Sequence, residues 1–216
     1  MSQLANAETT IHGLYASAPQ ELPFAPGVDI RAFVLRRDLG NLLIYSVAAP
    51  VFDAGEELGK ISRHYLGHSH EAMFATELPA APLFVHENEL DSVAGNLHVR
   101  GTFSRRHSLD DDFEVIPIPG HTPGATAYLW DSGGHRMLFT GDSLYLDEGE
   151  WVAAVLDSSD RDSYVESLEL LRELDFDVLV PWAATAGQPY FAITDSEDAG
   201  RRIGAILDRV RAGEER

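Results

Sequence analysis

Pro117 to Tyr145 reads P-I-P-G-H-T-P-G-A-T-A-Y-L-W-D-S-G-G-H-R-M-L-F-T-G-D-S-L-Y. A β-rich run, Phe113 to Ile118, enters the stretch and stops at Gly120-His121-Thr122-Pro123-Gly124, a turn set by two glycines and a proline. A second run, Thr126 to Trp130, is turned back by Ser132-Gly133-Gly134, and Arg136 to Thr140 then delivers Gly141-Asp142-Ser143 at a strand end. Upstream, Leu66 to Met73 reads L-G-H-S-H-E-A-M. Alternate residues of an extended segment face one way, so His68 and His70 look in the same direction. An H-x-H pair, a distant lone histidine in a glycine-bracketed turn and an aspartate at a strand end form a ligand set for a metal held on loops at one edge of a sheet sandwich. The candidates are His68, His70, His121 and Asp142.

The order of these segments resembles the metallo-β-lactamase superfamily from about Val28 to about Ala183: hairpin, H-x-H loop, G-H-T-P-G turn, F-T-G-D strand end, then a buried strand running into a proline. The resemblance implies an α/β fold, a four-layer αββα sandwich of two mixed sheets flanked by helices, with residues 1–216 forming one domain. It also exposes departures. The first cluster of the family runs H-x-H-x-D-H, whereas Ala72 stands here at the aspartate and Met73 at the last histidine. The family's final histidine, two residues after a strand-end proline, is replaced in Pro181-Trp182-Ala183-Ala184 by Ala183. In two-metal members these three positions complete the second site. The expectation is therefore a degenerate site holding one divalent transition metal, zinc before iron, on His68, His70 and His121. Asp142 would complete the coordination or orient the water, which makes it the catalytic candidate. Three neutral imidazoles and an open position suffice to bind Zn²⁺ and lower the pKa of its water to roughly 7. Glu71 is no substitute for the missing aspartate, because a neighbouring residue in a helical turn points about 100° away.

Three functions follow. The first is a hydrolase of a small ester, lactone, thioester or similar acyl compound. The second is a non-catalytic metal-binding or scaffold descendant of the fold. The third comes from the family's persulfide dioxygenases, which share GHTPG and TGD; there His68, His121 and Asp142 would hold Fe(II) as a two-histidine, one-carboxylate face. The remaining histidines, His12, His64, His98, His107 and His135, read as surface or core residues, and His86 as structural. Met73, Trp182 and Tyr190 are expected around the vacated second-metal space, where a thioether is a weak partner for Zn²⁺.

Composition narrows the field further. The chain has no cysteine, which excludes disulfides, thiolate sites and a cysteine nucleophile. With 35 acidic and 16 basic residues the net charge is −19, and the basic pairs Arg36-Arg37, Arg105-Arg106 and Arg201-Arg202 form no stripe that would hold a phosphate backbone. A small molecule is the expected partner, not nucleic acid. The start, MSQLANAETTIHGLYASAP, has neither a cationic nor an apolar run, and no stretch reaches the ~20 apolar residues of a span, so a cytoplasmic protein without a membrane partner is expected.

The remaining elements read as a repeated sheet-and-helix layout. Strands are expected at Asp29–Leu35 and Leu42–Val47 around a turn at Asp38 to Asn41, then at Ile61–Leu66, Leu83–Val85, Trp151–Leu156 and Val178–Val180. Helices are expected at Glu71–Leu78 and Glu87–Ala94. Two longer ones follow: Arg161–Leu174, capped by Asp160, and Asp195–Arg211.

Overall fold

Residues 11–52, 58–75 and 80–214 are described by a computed structural model. In its first half the chain forms β1 (Leu14–Ala16), β2 (Gln20–Leu22), β3 (Ala25–Ile30), β4 (Phe33–Leu35), β5 (Asn41–Ile44), β6 (Ile61–Tyr65), β7 (Leu83–His86), the single helical turn α1 (Leu90–Val93) and β8 (Val99–Phe103). The second half gives β9 (His107–Asp110), β10 (Phe113–Pro117), β11 (Thr126–Asp131), β12 (Arg136–Gly141), β13 (Tyr145–Asp147), β14 (Glu150–Val152), α2 (Arg161–Arg172), β15 (Val178–Pro181), β16 (Ala183–Thr185), β17 (Ala192–Ile193) and α3 (Ser196–Arg211).

Two six-stranded sheets, ordered β1-β4-β5-β6-β7-β8 and β17-β15-β12-β11-β10-β9, face each other, and a five-stranded sheet, β14-β13-β16-β3-β2, adjoins them. Period-two alternation builds the layers. Tyr128, Trp130, Met137, Phe139, Val178 and Val180 turn into the core between the large sheets, against Phe33, Leu42 and Ile44. Ala127, Leu129, Leu138 and Leu179 on the opposite face meet Tyr164, Leu168 and Leu171 of α2 and Ile203, Ile206 and Leu207 of α3. Full burial of each such large side chain stabilises the fold by about 1.5–3 kcal/mol. Asp160 caps α2 by accepting from Ser163 N–H at 2.8 Å, and Asp195 caps α3 through Asp198 N–H at 2.8 Å. The first sheet's outer layer is much thinner. There Val93 of α1 packs on Leu83 and Val85.

Strands β5, β6, β7 and β8 run parallel, as do β12 and β15, so their carboxyl ends gather at common edges, where loops collect functional groups. Among the described residues no helix is long and apolar enough to cross a membrane.

Three local expectations need correction. Asp29–Leu35 is not one strand: β3 pairs with β16 and β4 with β5, and at Arg31 and Ala32 the chain passes between sheets while Arg31 N–H bonds Trp182 O and Ala32 O accepts from Ser17 N–H. Trp151–Leu156 pairs only as far as Val152; beyond it Ala154 N–H bonds Asp142 O, which draws the segment off the sheet. The Glu71–Leu78 helix is a tight 3₁₀ turn over Ser69–Met73, and residues 76–78 of that expectation lie outside the described residues.

Candidate metal centre

Three loops at the carboxyl edge bring the predicted residues together. Gly67 and Gly141 let two of them touch: a Cβ on Gly67 would stand 3.4 Å from Gly141 Cα, and one on Gly141, whose φ is +58°, would stand 3.1 Å from the His68 ring. One ring nitrogen each from His68, His70 and His121 lie within 4.8 Å of one another. Asp142 Oδ2 stands 3.6 Å from His68 Nε2 and 3.8 Å from His121 Nε2. His121 Nδ1 donates to Ala154 O at 2.7 Å, which fixes the tautomer and leaves the Nε2 lone pair facing the cluster, 3.2 Å from His70 Nδ1.

Electrostatics prepare this cluster for a cation. Burial lowers the pKa of His68 well below its ordinary value, with the neighbouring His121 and His70 adding to the effect, and burial likewise lowers those of His70 and His121. All three rings are therefore neutral, the form that coordinates a metal. Burial pushes the Asp142 carboxyl up to about 7, opposed by His70. Both nitrogens of His68 and Oδ1 of Asp142 are buried and lack a hydrogen-bond partner among the described residues. Orphaned donors at the centre of three converging imidazoles fit a cation bound between them.

Against this geometry, residues 52–183 match the family model of the metallo-β-lactamase superfamily. The chain belongs to that superfamily. A hydroxyacylglutathione hydrolase of Xanthomonas axonopodis pv. citri (strain 306) is 35% identical over 105 residues, 45% of this chain; the match spans 39% of that relative's length. Among solved structures, a metallo-β-lactamase from Pontibacter korlensis superposes with a TM-score of 0.68 at 15% identity, over 92% of this chain and 96% of that one. An archaeal superfamily protein from Sulfolobus tokodaii gives a TM-score of 0.63 at 17% identity, over 92% and 87%. At those identities the likeness shows the fold.

The positions at which this chain departs from the superfamily pattern can be located. Ala72 is buried in an apolar cluster with Leu66, Leu83, Val85 and Val93, whereas Met73 and Ala183 line a pocket of about 680 Å³ that also takes in His70, His121 and Asp142. Trp182 shares this pocket; its ring stands edge-on to His68 at 5.2 Å and its Nε1 donates to Ser46 O at 2.9 Å. Tyr190 does not line it. That ring packs on Phe33 under the Arg31 guanidinium, because the chain after β16 turns back toward the core. Glu71 is buried, and its Oε1 accepts from Gly67 N–H at 2.7 Å and His68 N–H at 3.2 Å, so it braces the H-x-H loop from below.

Of the remaining histidines, His64 is buried with Nε2 on Tyr45 O at 2.8 Å, and His86 Nδ1 accepts from Asn88 N–H. His135 pairs with Asp177 and His107 with Arg105 O, while His12 and His98 are exposed or partly so.

Other residues that position the site were not predicted. Glu89 is buried between the two histidine loops: one oxygen accepts from Ser69 N–H at 2.9 Å and the other from Gly124 N–H at 2.5 Å. A Cβ on Gly124 would fall 2.7 Å from Glu89 Cγ, which accounts for the second glycine of GHTPG. That glycine was the available signal; the glutamate itself, in H-E-N-E-L, gave none. Tyr45 adopts φ +66° and ties strand ends together, its hydroxyl donating to Val180 O at 3.0 Å and accepting from Gly141 N–H at 2.7 Å.

Proposed function

We propose that this protein is a metal-dependent hydrolase acting on a small ester, lactone, thioester or similar acyl compound through a single metal held by His68, His70 and His121, with Asp142 beside it. The convergence of three neutral imidazoles and one carboxylate at the floor of a substrate-sized pocket carries the reading. A cation held there, zinc before iron, would supply Lewis acidity toward the acyl carbonyl. The protein's own residues do the rest. Ala154 O and Glu89 aim the ligands, Trp182 and the apolar wall exclude water, and Asp142 presents Oδ2 to the cluster, where it would orient the attacking water. In the reaction the acyl carbon gains the oxygen of water, the C–O or C–S bond breaks, and the departing atom takes up a proton. The relative named hydroxyacylglutathione hydrolase supports placing thioesters among the candidates.

The non-catalytic reading has its own support, because the three positions that would complete a second site carry alanine, methionine and alanine. Metal analysis of purified protein, followed by turnover of an ester, lactone and thioester panel before and after chelation, separates the readings. Chelator-sensitive hydrolysis with no more than one tightly bound metal per chain supports the hydrolase. One bound metal with no turnover supports the descendant, and iron with oxygen uptake on persulfides supports the dioxygenase.

A further inference from the structure

The pocket above the histidines has a marked chemical division. Its polar lining is confined to His70, His121, Asp142 and Tyr145, and the rest is hydrocarbon or aromatic, including Leu22, Phe24, Val28, Val155, Leu156 and Trp182. Among the described residues neither lysine nor arginine lines it. Six large apolar side chains are exposed among the described residues, and three of them belong to this pocket: Phe24 at 67%, Met73 at 56% and Leu156 at 42%. Apolar surface gathered at one opening marks a binding surface, whereas scattered residues do not. From the exposed Phe24, the rings of Phe74, Trp182 and His68 follow one another at centroid distances of 6.4, 5.6 and 5.2 Å, which ties the apolar rim to the histidine cluster.

Resting on the hydrolase reading, we infer that the acyl group admitted here is an uncharged hydrocarbon chain. It lies between the β2–β3 hairpin and the 153–156 segment with its carbonyl at the histidines. An anionic chain end, or a leaving group bearing carboxylates, would meet no lysine or arginine among the described lining residues, in a protein of net charge −19, and would lose hydration with no side-chain cation to replace it. A chain of methylenes instead gains about three- to fourfold in affinity per group buried.

The test uses zinc-loaded protein and the quenching of tryptophan fluorescence by butano-, hexano- and octanohydroxamic acid, beside an eight-carbon hydroxamate ending in a carboxylate. Affinity is expected to rise about three- to fourfold per methylene, and the carboxylate-ended ligand to bind at least about tenfold more weakly than octanohydroxamic acid. Phe24→Ser with Leu156→Ser, both at exposed positions, should flatten the series, and Leu156→Arg should recover the carboxylate-ended ligand. Neutral n-alkanols of the same lengths, tested on metal-free protein, separate the two ideas. A chain-length dependence that appears only with alkanols keeps the hydrocarbon site and removes the metal from the reading. Flat series with both ligand classes, or equal binding of the carboxylate-ended hydroxamate, overturn the inference.

Discussion

The two walls of the pocket are built on opposite principles. His121 on the histidine wall, and the buried Glu71 and Glu89 that brace its loops, are each held by hydrogen bonds to backbone groups. The apolar lining, Leu22, Phe24 and Val28 of the β2–β3 hairpin with Met73 beside the H-x-H loop, is held by shape and apolar contact, and two of the four are more than half exposed. A directed wall preserves a geometry to within tenths of an ångström, while an undirected wall tolerates exchange of one apolar group for another. The first therefore carries what the superfamily shares, and the second carries what sets this chain apart.

The contrast breaks most readily at His121. Removing one of three imidazoles with His121→Ala should weaken metal binding by more than about a hundredfold, beyond what loss of a supporting group causes. His135→Ala, on a distant turn, should leave the metal content of purified protein unchanged. Equal metal retention by the two variants would overturn the ligand assignment.

A second break comes from trying to restore the superfamily aspartate. Ala72 is sealed among Leu66, Leu83, Val85 and Val93, so Ala72→Asp should cost about 4 kcal/mol in denaturant unfolding. Preserved stability together with a second bound metal would mean that the turn can rotate this side chain into the pocket.

Glu89→Ala leaves the N–H groups of Ser69 and Gly124 unpaired and should cost about 3 kcal/mol. Metal affinity should fall about ten- to hundredfold with it. Stability lost without any change in metal affinity would reduce Glu89 to a packing residue.

These three sites also show what was legible in the sequence. His68, His70, His121 and Asp142 carry their own signal, because metal-ligating residue types recur there at a spacing no packing rule demands, and Asp160 announces its helix through cap chemistry. Glu89 and Ala154 O carry none. One is a glutamate in an ordinary acidic stretch and the other a main-chain carbonyl, and both matter only because the fold brings segments 35 and 33 residues apart into hydrogen bonding. The passage between sheets at Arg31 was hidden for a related reason: Asp29 to Leu35 has unbroken β composition, and what divides it is the choice of partner strand.

His64 gives a smaller, pH-dependent effect. Burial lowers its pKa from 6.5 to about 4. The unfolded chain thus takes up a proton that the folded one refuses, so the stability tied to neutral His64 is complete above pH 6.5 and is lost as pH falls from there toward 4. The loss should reach about 2 kcal/mol near pH 5. In urea unfolding across that range, His64→Asn should show a correspondingly shallower dependence than the parent, and parallel curves would contradict the assignment.

The smallest effect belongs to the undirected wall. Met73, 56% exposed, should accept serine within about 0.5 kcal/mol in thermal or denaturant unfolding. A larger loss would show that the apolar lining is as constrained as the histidine cluster.

The carbonyl of Ala154 belongs to both walls at once. It fixes the His121 tautomer, and its neighbours Ala153, Val155 and Leu156 line the pocket. Anyone reshaping this pocket for another ligand therefore has two unequal handles. Main-chain shifts in the 153–156 segment carry through to His121, whereas the β2–β3 hairpin, paired to β16 and bearing Leu22 and Phe24, offers a place to change selectivity while leaving the histidine cluster undisturbed.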